Sequence, residues 1–209
     1  MPRSSPQRTA ARRDEIISAC EQLYQTMSFK EITMGEISVA TTFSRPSIYN
    51  YFHTKEEIFL ALLQREYELW AQELGLLLAA NETLGAEEFA HALAVSVEHR
   101  PLMLKILSMN HFDLEENSRL ECLVTFKVAY GDTLKAVRRC LDRFCPWMDE
   151  AEKQTFLYGF FPFIYGIYPY AFVTEKQREA MEQADVGYVY LSVYELTFSC
   201  IQKLLAHGK

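Results

Sequence analysis

Apolar residues along this chain recur at spacings of three and four, the period of a helix, and no stretch of useful length alternates at the period of a strand. Ile16, Ala19, Cys20, Leu23 and Tyr24 fall on one face of a first helix predicted from about Ala11 to Met27, with Phe29 and Ile32 closing its base. Ile58, Leu62, Leu69 and Leu76 predict a long helix that starts after Thr54 and reaches Ala80. Asn81–Gly85 has the composition of a loop. Helices follow over Glu87–His99, which Pro101 cannot continue, over the short Met-rich Leu102–Phe112, and over Glu115–Phe144, which stops before Pro146. Asp149 with Glu152, and Thr174 with Gln177, have capping-box spacing and open two more helices; Tyr188–Leu205 is the last. The expected fold class is all-α. The expected organisation is a flexible basic arm over 1–10, a three-helix head over 11–54, and a larger helical domain over 55–209.

Within the head, Thr33–Lys55 (TMGEISVATTFSRPSIYNYFHTK) predicts two short helices joined by a tight turn. Thr33 and Glu36 have capping-box spacing, and Ile37 and Ala40 give the first helix an apolar side. Thr41–Phe43 is the turn. Ser44 can cap the second helix, and Pro46 suits its first turn, where a backbone N–H has no helical partner. Ile48 and Phe52, four apart, pack inward and leave polar side chains on the other faces. Thr54 with Glu57 then caps the long helix. Two short helices and a tight turn make a helix-turn-helix, whose second helix can lie in a DNA major groove. The bland alternative is a helical hairpin with a polar outer face.

Phe156–Val173 (FLYGFFPFIYGIYPYAFV) carries no charge for 18 residues and contains a near-repeat of seven, Tyr158–Ile164 and Tyr165–Ala171. Two prolines and a near-minimal length argue against a membrane span. Pro162 and Pro169 each remove a helical hydrogen bond and crowd the carbonyl four residues earlier, those of Tyr158 and Tyr165, so a helix is expected to kink or open at both. Opened backbone with aromatic walls suits a small-molecule cavity; core or dimer packing is the other reading. The pocket candidates are Tyr158, Phe161, Tyr165, Tyr168, Met103 and Phe126, for a small apolar or aromatic effector. The last helix is apolar nearly all round, which points to a twofold partner. Its dimer candidates are Tyr190, Val193, Tyr194, Thr197, Phe198 and Ile201.

Charge sharpens this picture. The chain has net charge −7, yet residues 1–55 hold seven basic and five acidic groups, and the rest 14 and 23. A basic end on an acidic body directs phosphate contact to that end. Arg3 and Arg8 belong to the arm. Five cysteines without a C-x-x-C pair favour reduced, buried thiols, with Cys140 and Cys145 as the conceivable redox pair. The five histidines are scattered without metal-ligand spacing, and no nucleophile elbow, phosphate loop or dinucleotide loop occurs. Neither a catalytic site nor a metal or cofactor is expected, and the N-terminus lacks a secretory apolar run.

The run Phe43-Ser44-Arg45-Pro46-Ser47-Ile48-Tyr49-Asn50-Tyr51-Phe52-His53-Thr54-Lys55-Glu56, with Ile32-Thr33 and Ile37 before it, resembles the N-terminal domain of the TetR family of bacterial transcriptional regulators. The likeness runs from about Arg12 to Leu63. Thr42 in the turn and Ser28 after the first helix stand where the family usually has glycine; a left-handed backbone there would cost each about 1 kcal/mol. The resemblance implies a cytoplasmic homodimer that binds double-stranded DNA through its heads, an effector in the middle of the larger domain, and dimerisation through the C-terminal helices.

The expected contacts are Arg45 and Asn50 to base edges and Thr33, Ser47, Tyr49 and Lys55 to phosphates, with Ser44, Pro46, Tyr51 and His53 completing the face. The expected function is a ligand-responsive repressor on a palindromic operator. The rival is a helical interaction protein, or a small-molecule binder without DNA binding.

Overall fold

The computed structural model describes residues 6–206, which hold eleven α-helices and no strand. It divides into two compact units, Met1–Arg65 with Asn110–Ala129, and Glu66–Met109 with Tyr130–Lys209.

The first unit holds α1 (Pro6–Thr26), α2 (Met34–Val39), α3 (Arg45–Ile48) and the start of α4 (Lys55–Ala80). The end of α6 (Pro101–Glu116) and the start of α7 (Leu120–Phe144) complete it. Ile16, Cys20, Ile32, Ile37, Ile48, Phe52, Ile58 and Phe59 are fully buried at its centre. Tyr24 and Phe29 meet the Phe59 ring at 4.9 and 4.8 Å. Helix α1 starts at Pro6, five residues before the expected Ala11, because a proline in the first helical turn loses no bond the helix would have used. Residues 6–10 of the supposed arm are therefore helical, while Arg3 lies outside the described residues.

The second unit holds α5 (Ala86–Glu98), α8 (Glu150–Gly166), α9 (Tyr168–Ala171), α10 (Glu175–Gln183) and α11 (Val193–Leu205), with the remaining turns of α4, α6 and α7. Trp70 sits at its centre, tilted against the Phe160 and Phe161 rings, and its indole N–H donates to Ser96 Oγ at 2.9 Å. Helix α11 packs against α5 and α8. At Gly159 the approach is so close that a Cβ would lie 2.8 Å from Leu204 Cδ2.

Several expectations change. On α4 Ile58 and Leu62 are buried as expected, and the inner face continues through Leu63, Tyr67, Trp70 and Leu74, whereas Leu69 and Leu76 are 39% and 70% exposed. A spacing of seven drifts about 20° per repeat around a straight helix, so the expected Leu62–Leu69–Leu76 line rotates out of the core. Ala40 is exposed, and Met34 shares the inner face of α2 with Ile37. Helix α6 is longer than expected, and residues 117–119 separate it from α7. Helix α11 starts five residues late because Ser192 and Glu195 form a complete capping box.

The two prolines of the aromatic segment behave differently. Helix α8 continues through Pro162, against the expected opening, and ends at Gly166, with Pro169 in the first turn of α9. The Tyr165 carbonyl, which Pro169 cannot serve, accepts the Ser108 hydroxyl at 2.6 Å. Among the described residues no helix is long and apolar enough to cross a membrane.

Candidate nucleic-acid interface and effector cavity

Thr33 caps α2, its hydroxyl accepting the N–H groups of Gly35 and Glu36 at 3.2 and 3.3 Å. The Glu36 carboxylate meets that same hydroxyl instead of closing the box on the Thr33 N–H. Ser44 occupies the cap of α3, but its hydroxyl pairs with Ser47 Oγ at 2.9 Å and makes no backbone cap. Only four residues of α3 are regular helix. The N–H groups of Asn50, Tyr51 and Phe52 still bond back to Ser47 and Ile48 carbonyls, so the turn tightens and continues to Phe52. Ile48 and Phe52 are fully buried, while Ser44, Arg45, Pro46, Tyr49, Asn50 and His53 are exposed on the other side. Arg45 reaches the Tyr49 hydroxyl at 3.4 Å.

Two expected contacts are engaged internally. Lys55 Nζ donates to the Phe29 and Ile32 carbonyls at 2.6 and 3.1 Å and lies 4.1 Å from the Phe29 ring centroid. Two of its three donors thus close the link before α2. Tyr51 is half-buried, its hydroxyl and carbonyl taking donors from Arg12 and Arg13 at 3.3 Å each. Arg13 also lies over the Phe52 ring at 4.4 Å.

The positions where a glycine was expected need none. Asp185, at φ 51°, is the one described non-glycine with positive φ. The Thr42 N–H and hydroxyl both donate to Glu15 Oε1 at 2.8 and 2.7 Å, and those of Ser28 to Glu31 Oε2 at 2.8 and 2.7 Å. These bonds hold both carboxyls below the usual carboxylate range, the hydroxyl bond contributing most in each case.

Glu57, 1% exposed, joins the end of the α3 segment to the residues before α7. Its carboxylate accepts Arg119 Nε at 2.6 Å, an Arg119 terminal nitrogen at 3.0 Å, the Arg119 N–H at 3.2 Å and the His53 N–H at 2.7 Å. Burial pushes this carboxyl up, but the Arg119 side chain, then the two backbone N–H groups, hold it down at about 2. The expected box with Thr54 is half made: the Thr54 hydroxyl accepts the Glu57 N–H at 3.2 Å and donates to the Asn117 carbonyl at 3.0 Å. Sequence reasoning missed Arg119, because nothing local ties position 57 to position 119.

In the second unit, α7 and α8 line an open cavity of about 890 Å³. Of the expected pocket residues, Tyr158, Phe161 and Tyr165 line it. Tyr168 does not: it stacks on Phe172 at 4.5 Å. Met103 and Phe126 are fully buried core residues, in the second and first unit respectively. Tyr130, Leu134, Leu157 and Pro162 complete the apolar wall, and Lys135, Arg138, Arg139 and Gln154 the polar part. The missed signal was the basic run at 135, 138 and 139, spaced for one face of α7.

On α11, Val193, Thr197 and Ile201 face inward within their own protomer, so they cannot be its partner face. Tyr194 and Phe198 are half-buried and stacked at 5.5 Å, with the Tyr194 hydroxyl 2.8 Å from His91 Nδ1. Tyr190 precedes the helix, under the Arg178 guanidinium at 4.1 Å. The cysteines are free, and burial pushes the Cys20, Cys140 and Cys145 thiols up to about 12, a poor starting point for redox chemistry.

The family profile described as "Bacterial regulatory proteins, tetR family" matches residues 16–62, and "Tetracyclin repressor-like, C-terminal domain" matches residues 64–195. No curated protein matches in sequence. Among solved structures, the fatty acid degradation regulator FadR of Bacillus halodurans is 14% identical, with 98% of this chain and 97% of that chain covered, at TM-score 0.60. A TetR/AcrR-family regulator of Thermobifida fusca is 16% identical, covering 93% and 97%, at TM-score 0.60. FadR of Thermus thermophilus, solved with lauroyl-CoA, is 19% identical, covering 94% of each chain, at TM-score 0.57.

Proposed function

We propose, for a chain that belongs to the TetR family of bacterial transcriptional regulators, that it acts as a homodimeric repressor released from a palindromic operator by a small molecule. Each head lays the Ser44–Phe52 segment in a major groove, with the half-sites about one helical turn or a multiple apart. The carrying observation is that Arg45, Tyr49 and Asn50 stand exposed while Ile48 and Phe52 anchor the same segment from beneath. In this reading Arg45 and Asn50 read base edges, and Thr33, Ser47 and Tyr49 hold phosphates. Lys55 keeps one donor for a phosphate while its other two brace the head.

The effector occupies the α7–α8 cavity, whose apolar and aromatic walls favour a largely apolar molecule. The acyl chain of the lauroyl-CoA bound by the Thermus thermophilus relative is in keeping with that. Release requires the ligand to bind more tightly to a state whose heads are misplaced for the operator, and α4 is the proposed lever. A second copy packs on the outer side of α11, through Tyr194 and Phe198 rather than the inward residues.

The test is fluorescence anisotropy on DNA from the gene's own upstream region. Arg45→Ala is expected to weaken binding about tenfold and relax specificity, and Tyr49→Ala to weaken all sequences alike. Unchanged affinity in both variants would remove the assignment.

A further inference from the structure

We infer that the occupant of the α7–α8 cavity is an amphipathic anion, an apolar body carrying a carboxylate or phosphate head; this rests on the effector reading of that cavity. The two helices run antiparallel. Tyr130 meets Phe161 with ring centroids 5.6 Å apart. Further along, Lys153 Nζ lies 2.6 Å from Asp142, and Arg138 pairs with Glu150. This register sorts the lining residues by chemistry. Tyr130, Phe161, Pro162 and Tyr165 gather at one end, and Arg138, Arg139 and Gln154 at the other. Nine helical steps take the chain from Tyr130 to Arg139, roughly 13 Å at the α-helical rise.

The charge at the polar end is one-sided. Lys135, Arg138 and Arg139 line the cavity and no Asp or Glu does, although acidic groups outnumber basic ones 28 to 21 in the chain. Arg138 is held by Glu150 and Asp142, and Lys135 by Asp132. Arg139 is exposed and makes no ion pair among the described residues, so its guanidinium fork is the group with donors to offer. Such a fork binds carboxylate and phosphate oxygens in pairs. A neutral apolar molecule would fill the aromatic end and make no use of this one; an anion without an apolar body would gain nothing from the walls.

The experiment is calorimetric titration of the full chain with laurate, lauroyl-CoA, methyl laurate and coenzyme A, each below its micellar concentration. Laurate or lauroyl-CoA is expected to bind at least tenfold more tightly than methyl laurate, and coenzyme A alone not measurably. Preference for laurate assigns the head to a carboxylate, and preference for lauroyl-CoA to phosphates. Arg139→Gln should weaken the anionic ligand about tenfold and leave methyl laurate unchanged, with Arg139→Lys intermediate. Circular dichroism checks that both variants melt like the parent. Three results would each overturn the inference: methyl laurate binding as tightly as the anions, Arg139→Gln leaving anion affinity unchanged, or no probe binding. Anion binding that Arg139→Gln weakens, but that leaves DNA affinity unaltered, would support the ligand class and count against the effector role.

Discussion

Glu57 is the residue whose loss the head should feel most. In Glu57→Ala the N–H of His53 and the guanidinium and N–H of Arg119 lose their common acceptor, and a fully buried carboxylate site is left empty. Breaking a buried pair costs about 3–5 kcal/mol. The Arg119 side chain is 36% exposed and can rehydrate, which reduces the loss to about 2–3 kcal/mol. Linkage gives a similar size: a carboxyl held at about 2 against an ordinary value near 4.3 corresponds to about 3 kcal/mol, again reduced by solvent at Arg119.

The sign follows from the depressed value. The stabilisation is complete above the ordinary carboxylate range and disappears as pH falls from about 4 towards about 2. Thermal unfolding by circular dichroism should place Glu57→Ala roughly 5–10 °C below the parent at neutral pH. Glu57→Gln keeps an acceptor but not the charge, and should fall between them. The gap between Glu57→Gln and the parent should narrow as pH drops from 4 to 2. Hydrogen exchange should quicken at the His53 amide in both variants. A Glu57→Ala melting point within a degree of the parent, or a Glu57→Gln gap that does not change in acid, would refute the clamp.

Two further substitutions test separate parts of the molecule. Lys55→Met removes the donors to the Phe29 and Ile32 carbonyls, and should cost about 1–3 kcal/mol in urea unfolding as well as weakening DNA binding, whereas Arg45→Ala should leave stability unchanged. Equal stability of Lys55→Met and the parent would mean that the ammonium braces nothing. Ser108→Ala removes the hydroxyl that the Tyr165 carbonyl accepts at the α8–α9 break and should cost about 1 kcal/mol, measured by urea unfolding; a neutral result would mean water replaces the hydroxyl freely.

The sequence alone determined what local chemistry dictates. The helical period, the cap at Thr33, the inward pair Ile48 and Phe52 and the exposed Arg45, Tyr49 and Asn50 depend on residues within a turn or two of one another. Proline chemistry predicted the break at Pro169 for the same reason. Only the tertiary structure decided matters that join distant positions. Lys55 turned to carbonyls more than twenty residues away, Glu57 found Arg119, and Glu15 took both the N–H and the hydroxyl of Thr42. Pairing of α7 with α8 gathered Lys135, Arg138 and Arg139 beside an aromatic wall, and packing of α11 on α5 and α8 turned Val193, Thr197 and Ile201 inward. A side chain's partner across the fold is set by how helices dock, and docking depends on the shape of all the surfaces at once, which no local spacing encodes.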